Sequence, residues 1–536
     1  MSSSPSSLPP RARPAAPASR RSFLRHAGYA TATAFAASSM LARLRAAESS
    51  AATYLKSKDT TTDPLYMSAT KLAELIRTKK ISSVEAVKLH YARIDAVNPK
   101  INAVVAFCRE RALAEAADAD AMTARGRFKG ALHGVPMTIK DSFDTAGVVS
   151  TGGTMGRKDF VPGKDATVVA RARAAGAILL GKSNTPEFTL GGGSRGTYNL
   201  IHGQTYNPYN LAYSPSGSSG GAGAIVAAGG ASFDIGSDYG GSIRGPAFAN
   251  GIAGIKPTLG RVPRTGHIVG YGGPFDSFQE TGPLARWVED LSLLLPILSG
   301  PDDWDAMMAP VPLNDPAKVD LKSLRIAFYA SNGTPPPGQE AQAVTPEMIE
   351  LVKKCVSYFE ALGCKITEDR PPKMAELSAA RSKFSGATGA DHMRRLVKKH
   401  GTLQASPGLR LDGTMLPSAD FTAACEEMDA IKSEQLAWFE QYDLIICPAA
   451  NRATRRLDDE PAPTPAGTRG RGGMGGLGQY NTTGWPAGVV RAGTSTVEVG
   501  LPLGIQAAAQ PWRDDIVIAA LAYIESKTGG YVKPMI

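Results

Sequence analysis

Three segments of this chain place lysine and serine beside small residues. Lys140 ends the short apolar run 134–139, residues 216–221 form a serine–glycine turn, and residues 236–246 carry Ser242 after a glycine pair. A serine hydroxyl is a poor nucleophile until a base takes its proton. A lysine amine is such a base only when burial keeps it neutral. These residues therefore indicate acyl transfer by a proton relay between hydroxyl groups that needs no histidine.

A second serine motif, Gly217-x-Ser219-x-Gly221, matches the nucleophile elbow of α/β hydrolases. Such an elbow needs an acid and a histidine later in the chain, and His267, His392 and His400 are available. The serine must also follow a strand, whereas the preceding residues, 207–215, are typical of a loop. The elbow is therefore the weaker of the two interpretations.

Two glycine patterns, at 191–196 and 470–475, match the G-x-G-x-x-G dinucleotide fingerprint. Neither lies between a strand and a helix, as that phosphate-binding mechanism requires. The seven histidines are scattered and form no H-E-x-x-H motif. We therefore predict neither a nucleotide cofactor nor a metal.

The lysine and serine segments closely resemble the amidase signature family of serine hydrolases. The resemblance runs from residue 132 to 258 and resumes at 481–486 and 500–506, while residues 300–440 match only loosely. It implies one large α/β domain with a mixed β-sheet covered by helices. It also implies hydrolysis of a carboxylic amide through an acyl-enzyme, without metal or cofactor.

The resemblance also assigns roles to individual residues. Lys140 matches the catalytic lysine, Ser218 the bridging serine on a cis peptide bond, and Ser242 the nucleophile. Thr189 lies where relatives carry a residue that contacts the substrate. The backbone amides that match the oxyanion hole are those of Tyr239, Gly240, Gly241 and Ser242.

Four further residues stand beside these motifs. Tyr239 replaces the small or aliphatic residue common in the family, and its ring is expected to narrow the pocket. Asp141, Asp238 and Arg244 are interpreted as structural residues that hold the site loops by hydrogen bonds.

The surrounding elements must position these segments. Residues 64–122 are predicted to be helical, with a capping box at Ser82 and Glu85 and a helix end at Asn98-Pro99. Strands alternating with helices over 131–300 predict a largely parallel sheet with both faces covered. Predicted strands are 177–180, 252–255, 324–329 and 443–447, and predicted helices are 346–362, 423–442 and 514–526.

Composition excludes several classes of protein. Of 536 residues, 43% are hydrophobic and 20% charged, which excludes a disordered chain. Residues 1–50 carry seven arginines and one acid, so +6 of the net charge of +10 lies there and +4 remains elsewhere. That remainder does not indicate nucleic-acid binding. No apolar run is long enough for an integral membrane span.

The first fifty residues resemble an export signal. Arg20 and Arg21 precede the weakly apolar stretch 27–41, a pattern typical of twin-arginine (Tat) signals, although a disordered basic tail is the alternative. We assign residues 1–47 to signal and linker and 48–536 to the amidase domain, which places the mature protein in the periplasm or outside the cell. The five cysteines are interpreted as free thiols, with a Cys355–Cys364 pair left open.

Several functional alternatives remain open at this level. Aryl amides, peptide C-terminal amides, fatty-acid amides, carbamates and esters are all compatible substrates, and segments 481–506 and 511–515 favour the fatty-acid-amide-hydrolase-like branch. A rival is the glutaminase subunit of a tRNA-dependent amidotransferase. A non-enzymatic binding relative is a third, but it is expected to lack a triad residue. The predicted partner is a small-molecule amide, and a homodimer is compatible.

Overall fold

The computed structural model describes residues 57–270, 277–331, 343–459 and 476–536. The predicted signal and linker, residues 1–47, lie outside these ranges, as does the glycine pattern at 470–475. The described residues from 57 to 536 group into one compact unit.

Thirteen strands lie in the described residues, and the first of them interrupts the predicted helical region 64–122. Two short strands, β4 and β5, form a separate ribbon, and the other eleven form one sheet. The strands are β1 Val104–Phe107, β2 Pro136–Lys140, β3 Ile178–Ser183, β4 Tyr198–Asn199, β5 Gly203–Gln204, β6 Phe233–Asp238, β7 Ala253–Lys256, β8 Glu280–Ala285, β9 Arg325–Phe328, β10 Lys365–Glu368, β11 Leu444–Pro448, β12 Ala487–Thr494 and β13 Pro502–Ala509.

The large sheet is mixed. Its order is β1-β3-β2-β6-β8-β7-β12-β13-β11-β9-β10. Four of its ten strand pairs are parallel, at β3–β2–β6 and β11–β9–β10. The other six are antiparallel. The prediction of a largely parallel sheet is therefore wrong, because β8, β12 and β13 enter the middle of the sheet in the opposite direction to their neighbours. The mixed sheet implied by the family resemblance is confirmed.

Thirteen α-helices lie in the described residues. They are α1 Ala69–Arg77, α2 Ser83–Ile101, α3 Arg109–Ala124, α4 Thr167–Ala174, α5 Gly220–Ala227, α6 Arg244–Ala249, α7 Val288–Leu298, α8 Pro346–Leu362, α9 Met374–Gly386, α10 Asp391–Lys399, α11 Ser418–Phe439, α12 Leu477–Thr482 and α13 Asp514–Thr528. Every residue of β2, β3, β6, β8 and β13 is buried, so both faces of the sheet are covered there.

Helix α2 begins as predicted and ends later than predicted. The Ser82 hydroxyl accepts the Glu85 N–H at 3.0 Å, which confirms the cap. The helix continues through Pro99 to Ile101, because the Asn98 carbonyl still accepts the N–H of Asn102 at 2.8 Å. It ends at Asn102, whose backbone is left-handed with φ 47°.

All five cysteines are free thiols, and Cys355 and Cys364 form no disulfide. Cys108, Cys355 and Cys447 are buried, while Cys364 and Cys425 are partly buried. Across the described residues, no helix combines the length and apolar character needed to cross a membrane.

Candidate active site

Lys140 ends a strand in the interior of the sheet. Strand β2 lies between β3 and β6, and the Lys140 side chain is fully buried. Burial lowers the pKa of the amine from 10.5 to about 7, although Asp238 and Asp234 favour its charged form. A large fraction of Lys140 is therefore neutral at physiological pH.

Ser218 lies directly against this amine. Its Oγ is 2.7 Å from Lys140 Nζ, and both groups are buried. The Gly217–Ser218 peptide bond is cis. A side chain at position 217 is excluded, because its Cβ would lie 2.6 Å from the Gly196 carbonyl oxygen. The turn therefore depends on the small residues of the serine–glycine motif.

Ser242 lies in the loop between β6 and α6, next to that turn. The Ser219 N–H donates to the Ser242 carbonyl oxygen at 3.2 Å, which joins the two serine segments through their backbones. Ser242 is half-buried, whereas its neighbours Gly241 and Ile243 are buried. It thus keeps access to solvent beside the buried Lys140–Ser218 pair. Ser219, the serine of the elbow motif, is fully buried at the N-cap of α5 and follows a loop rather than a strand.

The Asp238 carboxylate organises the loop that carries Ser242. It accepts the N–H groups of Gly241 at 2.6 Å and Ile243 at 3.0 Å, and it pairs with Arg244 Nε at 3.1 Å. Burial alone raises the pKa of Asp238, but Arg244 and the backbone amides outweigh it and hold the pKa well below 3.8. The carboxylate is therefore ionised.

The contact with Asp238 bears on the predicted oxyanion hole. The Gly241 N–H is directed at the Asp238 carboxylate, so it is already occupied in this structure. Gly241 has φ 110°, and a Cβ there would lie 2.7 Å from Leu477 Cδ1. Glycine is therefore required at this position both for its backbone conformation and for its close approach to α12.

Arg244 connects the loop to the two later sequence segments. Its guanidinium donates to Asn481 Oδ1 at 2.6 Å and to Gln506 Oε1 at 2.8 Å. The Asn481 amide donates in turn to the Asp238 carbonyl oxygen at 2.9 Å and to Glu280 at 3.1 Å. Asp238 and Arg244 thus hold the site by hydrogen bonds, as predicted.

Asp141 holds a neighbouring loop in the same way. Its carboxylate accepts the Thr151 N–H at 3.1 Å and also the Thr151 hydroxyl. The structural role predicted for Asp141 is confirmed.

The Tyr239 ring packs against α9. Its hydroxyl lies 2.8 Å from Ser385 Oγ, and its ring meets Phe278 edge-on at 6.1 Å. The Arg381 guanidinium lies 4.8 Å from the Tyr239 ring and 4.9 Å from the Phe278 ring. It also donates to the carbonyl oxygens of Tyr239 and, at 2.8 Å, Gly478. No motif marked Arg381, which lies within the loosely matching residues 300–440.

Thr189 lies in a tight turn, Glu187–Thr189, and is buried. Phe188 and Thr189 both have left-handed backbones, with φ 49° and 61°. Phe188 belongs to the same apolar cluster as Tyr239 and Phe278. Among the described residues, no hydrogen bond joins Thr189 to Lys140, Ser218 or Ser242.

Within the described residues, no group of three or more His, Cys, Asp or Glu side chains is placed to hold a metal ion.

Comparison with known proteins identifies the family. The family model described as Amidase matches residues 85–518. A glutamyl-tRNA(Gln) amidotransferase chain from Moorella thermoacetica is 33% identical over 509 residues, covering 86% of this chain and 97% of that protein. The indoleacetamide hydrolase of Bradyrhizobium diazoefficiens is 32% identical over 479 residues, covering 86% of each chain.

A solved fatty acid amide hydrolase superposes with a TM-score of 0.75 over 91% of each chain, at 23% identity. At that identity the likeness shows the fold alone. The matches over most of the sequence establish more, and the chain therefore belongs to the amidase signature family of hydrolases, which act on carbon–nitrogen bonds in amides.

Proposed function

We propose that this protein hydrolyses small carboxylic amides through an acyl-enzyme on Ser242, with Ser218 and Lys140 as the proton relay. The single observation that carries the proposal is the fully buried Lys140 amine, 2.7 Å from Ser218 Oγ, beside the loop of the half-buried Ser242. A neutral amine in that position has a lone pair that can accept a proton.

The proposed reaction has two proton transfers in its first half. Ser242 attacks the amide carbonyl carbon while its proton passes through Ser218 to Lys140. The carbon–nitrogen bond then breaks, and the proton returns through Ser218 to the leaving nitrogen, because an amide anion is a very poor leaving group. Water hydrolyses the acyl ester by the same transfers. The Gly241 N–H is held by Asp238, so we assign stabilisation of the oxyanion to the other backbone N–H groups of the 239–242 loop, each typically contributing about 2.7–4 kcal/mol.

The apolar surroundings of the loop support an aryl or alkyl acyl group. Tyr239 is packed within a cluster that includes Phe188, Ile268, Phe278 and Leu377. Apolar side chains interact favourably with apolar substrate groups and poorly with charged ones. The similarity to an indoleacetamide hydrolase is in keeping with this substrate class. Within it, the fatty-acid-amide-hydrolase-like branch stays a prediction.

The nucleophile can be tested without knowing the substrate. The purified protein is treated with a fluorophosphonate and analysed by intact mass and peptide mapping. We expect one adduct, on the peptide that contains Ser242, and none in Ser242→Ala. An adduct on Ser219 would instead support the elbow interpretation.

A hydrolysis screen tests the substrate class. Anilides, indole-3-acetamide, peptide amides, acyl amides, carbamates and free glutamine are compared at equal concentration. We expect turnover of aryl and alkyl amides, rising as the pH passes through about 7, where Lys140 loses its proton. Hydrolysis restricted to charged substrates would contradict the apolar assignment.

A second candidate is the glutaminase subunit of a tRNA-dependent amidotransferase, which the match to the Moorella protein favours. The proposed export of this chain argues against it, since charged tRNA is cytoplasmic. Strong hydrolysis of free glutamine, and only in the presence of partner subunits, would establish this candidate. A homodimer stays a prediction, which size-exclusion chromatography with light scattering can test.

Export rests on Arg20 and Arg21, which lie outside the described residues. We propose that they direct the folded protein through the Tat pathway to the periplasm or beyond. Changing both to lysine should leave the precursor in the cytoplasm of a Tat-competent bacterium. Normal processing in a Tat-deficient strain would contradict this proposal.

A further inference from the structure

A line of buried polar groups extends from Lys140 away from Ser218. Lys140 Nζ lies 3.0 Å from Ser237 Oγ and 3.4 Å from the Ser237 carbonyl oxygen. On its other side, Ser237 Oγ lies 3.0 Å from Nε2 of His267. Ser237 and His267 are 2% and 4% exposed, so water does not compete for these contacts. The sequence indicated His267 only as a partner for the elbow serine, Ser219.

The imidazole of His267 is fixed from several sides. Its backbone N–H donates to the Arg264 carbonyl oxygen at 3.0 Å, and its ring packs edge-on against Phe143 at 5.0 Å. The Val269 N–H donates to Nδ1 at 3.4 Å, and the Gln279 side-chain amide lies 3.0 Å from the same nitrogen. Because a backbone N–H can only donate, Nδ1 is the acceptor, and the proton of the neutral ring is on Nε2.

This tautomer directs an N–H group at Ser237. A neutral amine has two N–H groups and one lone pair. If the two N–H groups of Lys140 donate to the hydroxyl and carbonyl oxygens of Ser237, the lone pair remains for the Ser218 hydroxyl. The His267 N–H occupies the other lone pair of Ser237 Oγ, so that oxygen is a weaker acceptor for a charged ammonium group.

We propose that His267 is a positioning residue that acts through the Ser237 hydroxyl to keep the Lys140 amine neutral and directed at Ser218. The inference rests on the proposed function, because it takes Lys140 as the base.

The charged groups around Lys140 and His267 determine which of these two side chains titrates in the working pH range. Asp234 and Asp238 face Lys140 and favour its protonated form. Burial, followed by the charges of Lys140, Arg264 and Arg157, holds the pKa of His267 well below 6.5. The imidazole therefore stays neutral across the working pH range, and the acid limb of the activity profile reports Lys140.

Two polar substitutions of His267 make a matched pair. Asparagine places its amide near the position of Nδ1 and cannot reach Ser237, whereas glutamine places an N–H donor near the position of Nε2. The rate of Ser242 modification by a fluorophosphonate is measured from pH 5.5 to 10 in the parent, His267→Asn and His267→Gln. We expect His267→Asn to move the acid limb up by about one pH unit, slowing the reaction about tenfold below pH 7 and little at pH 10. His267→Gln should retain the parental profile.

A double variant tests whether the effect passes through Ser237. Ser237→Ala should move the acid limb to lower pH, since the ammonium group loses an acceptor. Adding His267→Asn to Ser237→Ala should then change nothing further. Because Ser237→Ala tests the same contact, the inference remains refutable even if His267→Asn fails to fold, which thermal melting will reveal.

Three outcomes would overturn the inference. A rate reduced equally at every pH in His267→Asn would mean that His267 contributes packing only. An unmoved acid limb in Ser237→Ala, or an undiminished effect of His267→Asn in that background, would exclude Ser237 as the connection. If the parent protein is labelled at Ser242 and one of these results is found, only this inference is refuted. If the parent protein is not labelled at Ser242, the proposed function and this inference are both refuted.

Discussion

Replacing Lys140 with methionine should abolish amide hydrolysis and at the same time stabilise the fold at neutral pH. Methionine has a similar length and needs no hydration in a buried site. The parent must bury an amine that is charged in the unfolded chain and largely uncharged in the folded one. That requirement serves the proposed chemistry and opposes stability.

The magnitude follows from the two protonation equilibria. Folding lowers the pKa of Lys140 from 10.5 to about 7. Since each pH unit between these values corresponds to about 1.4 kcal/mol, deprotonating the amine on folding costs on the order of 4 kcal/mol at pH 7. Lys140→Met avoids this cost, but it also loses the contacts with Ser218 and Ser237, which reduces its gain in stability by roughly 1–3 kcal/mol. Lys140→Met should therefore be about 1–3 kcal/mol more stable at pH 7.

The dependence on pH isolates the effect of the amine. The unfolded parent binds more protons than the folded parent between pH 7 and 10.5, so its unfolding free energy rises over that interval. The variant lacks this rise. The unfolding free energies of Lys140→Met and the parent are measured in guanidinium at pH 7, 8.5 and 10. The difference in favour of the variant should decrease by roughly 3 kcal/mol from pH 7 to pH 10.

An exposed lysine provides the control for this experiment. The Lys158 side chain is 60% exposed. The difference in unfolding free energy between Lys158→Met and the parent should therefore be the same at every pH. A difference between Lys140→Met and the parent that stays constant from pH 7 to 10 would refute the argument. It would mean that the folded protein holds Lys140 as an ammonium group.

Three further outcomes follow from the contacts at the site. Lys140→Arg should not hydrolyse an anilide, because guanidinium stays protonated. Lys140→Ala should lose less activity on the matched phenyl ester than on the anilide. Equal losses on the two substrates would argue against proton return to the leaving group. Arg381→Met removes the donor to the Tyr239 carbonyl oxygen and should lower kcat about tenfold with little change in KM, as steady-state kinetics will establish. An unchanged kcat would exclude a role for that contact. Asp238→Asn leaves the buried Arg244 without its carboxylate and should lower the unfolding free energy by about 3–5 kcal/mol in guanidinium titrations, whereas a loss below about 1 kcal/mol would contradict the ion-pair argument.

Local sequence was enough to predict several elements and the three segments of the site. Helix α8 has the predicted bounds, Pro346–Leu362, because a proline suits its first turn and glycine follows its last residue. Strands β7, β9 and β11 were predicted to within one or two residues from short apolar runs. Lys140 at a buried strand end followed from the apolar residues before it. Each of these features depends on residues near one another in the chain.

Other features were decided only when distant segments came together. The directions of β8, β12 and β13 depend on pairings with strands far away in sequence, which no local periodicity specifies. Arg381 carried no motif, because its role depends on backbone carbonyl groups of two distant segments, Tyr239 in the site loop and Gly478 in helix α12.

The polar surroundings of Lys140 show the same division. The lysine and the serines could be predicted from the sequence, because turns and strand ends depend on nearby glycine, serine and apolar residues. It could not indicate that Ser237 and His267, 30 residues apart, lie within hydrogen-bonding distance of each other. Whether a buried amine is neutral depends on every dipole and charge within a few ångströms, and only the folded chain brings those groups to that distance.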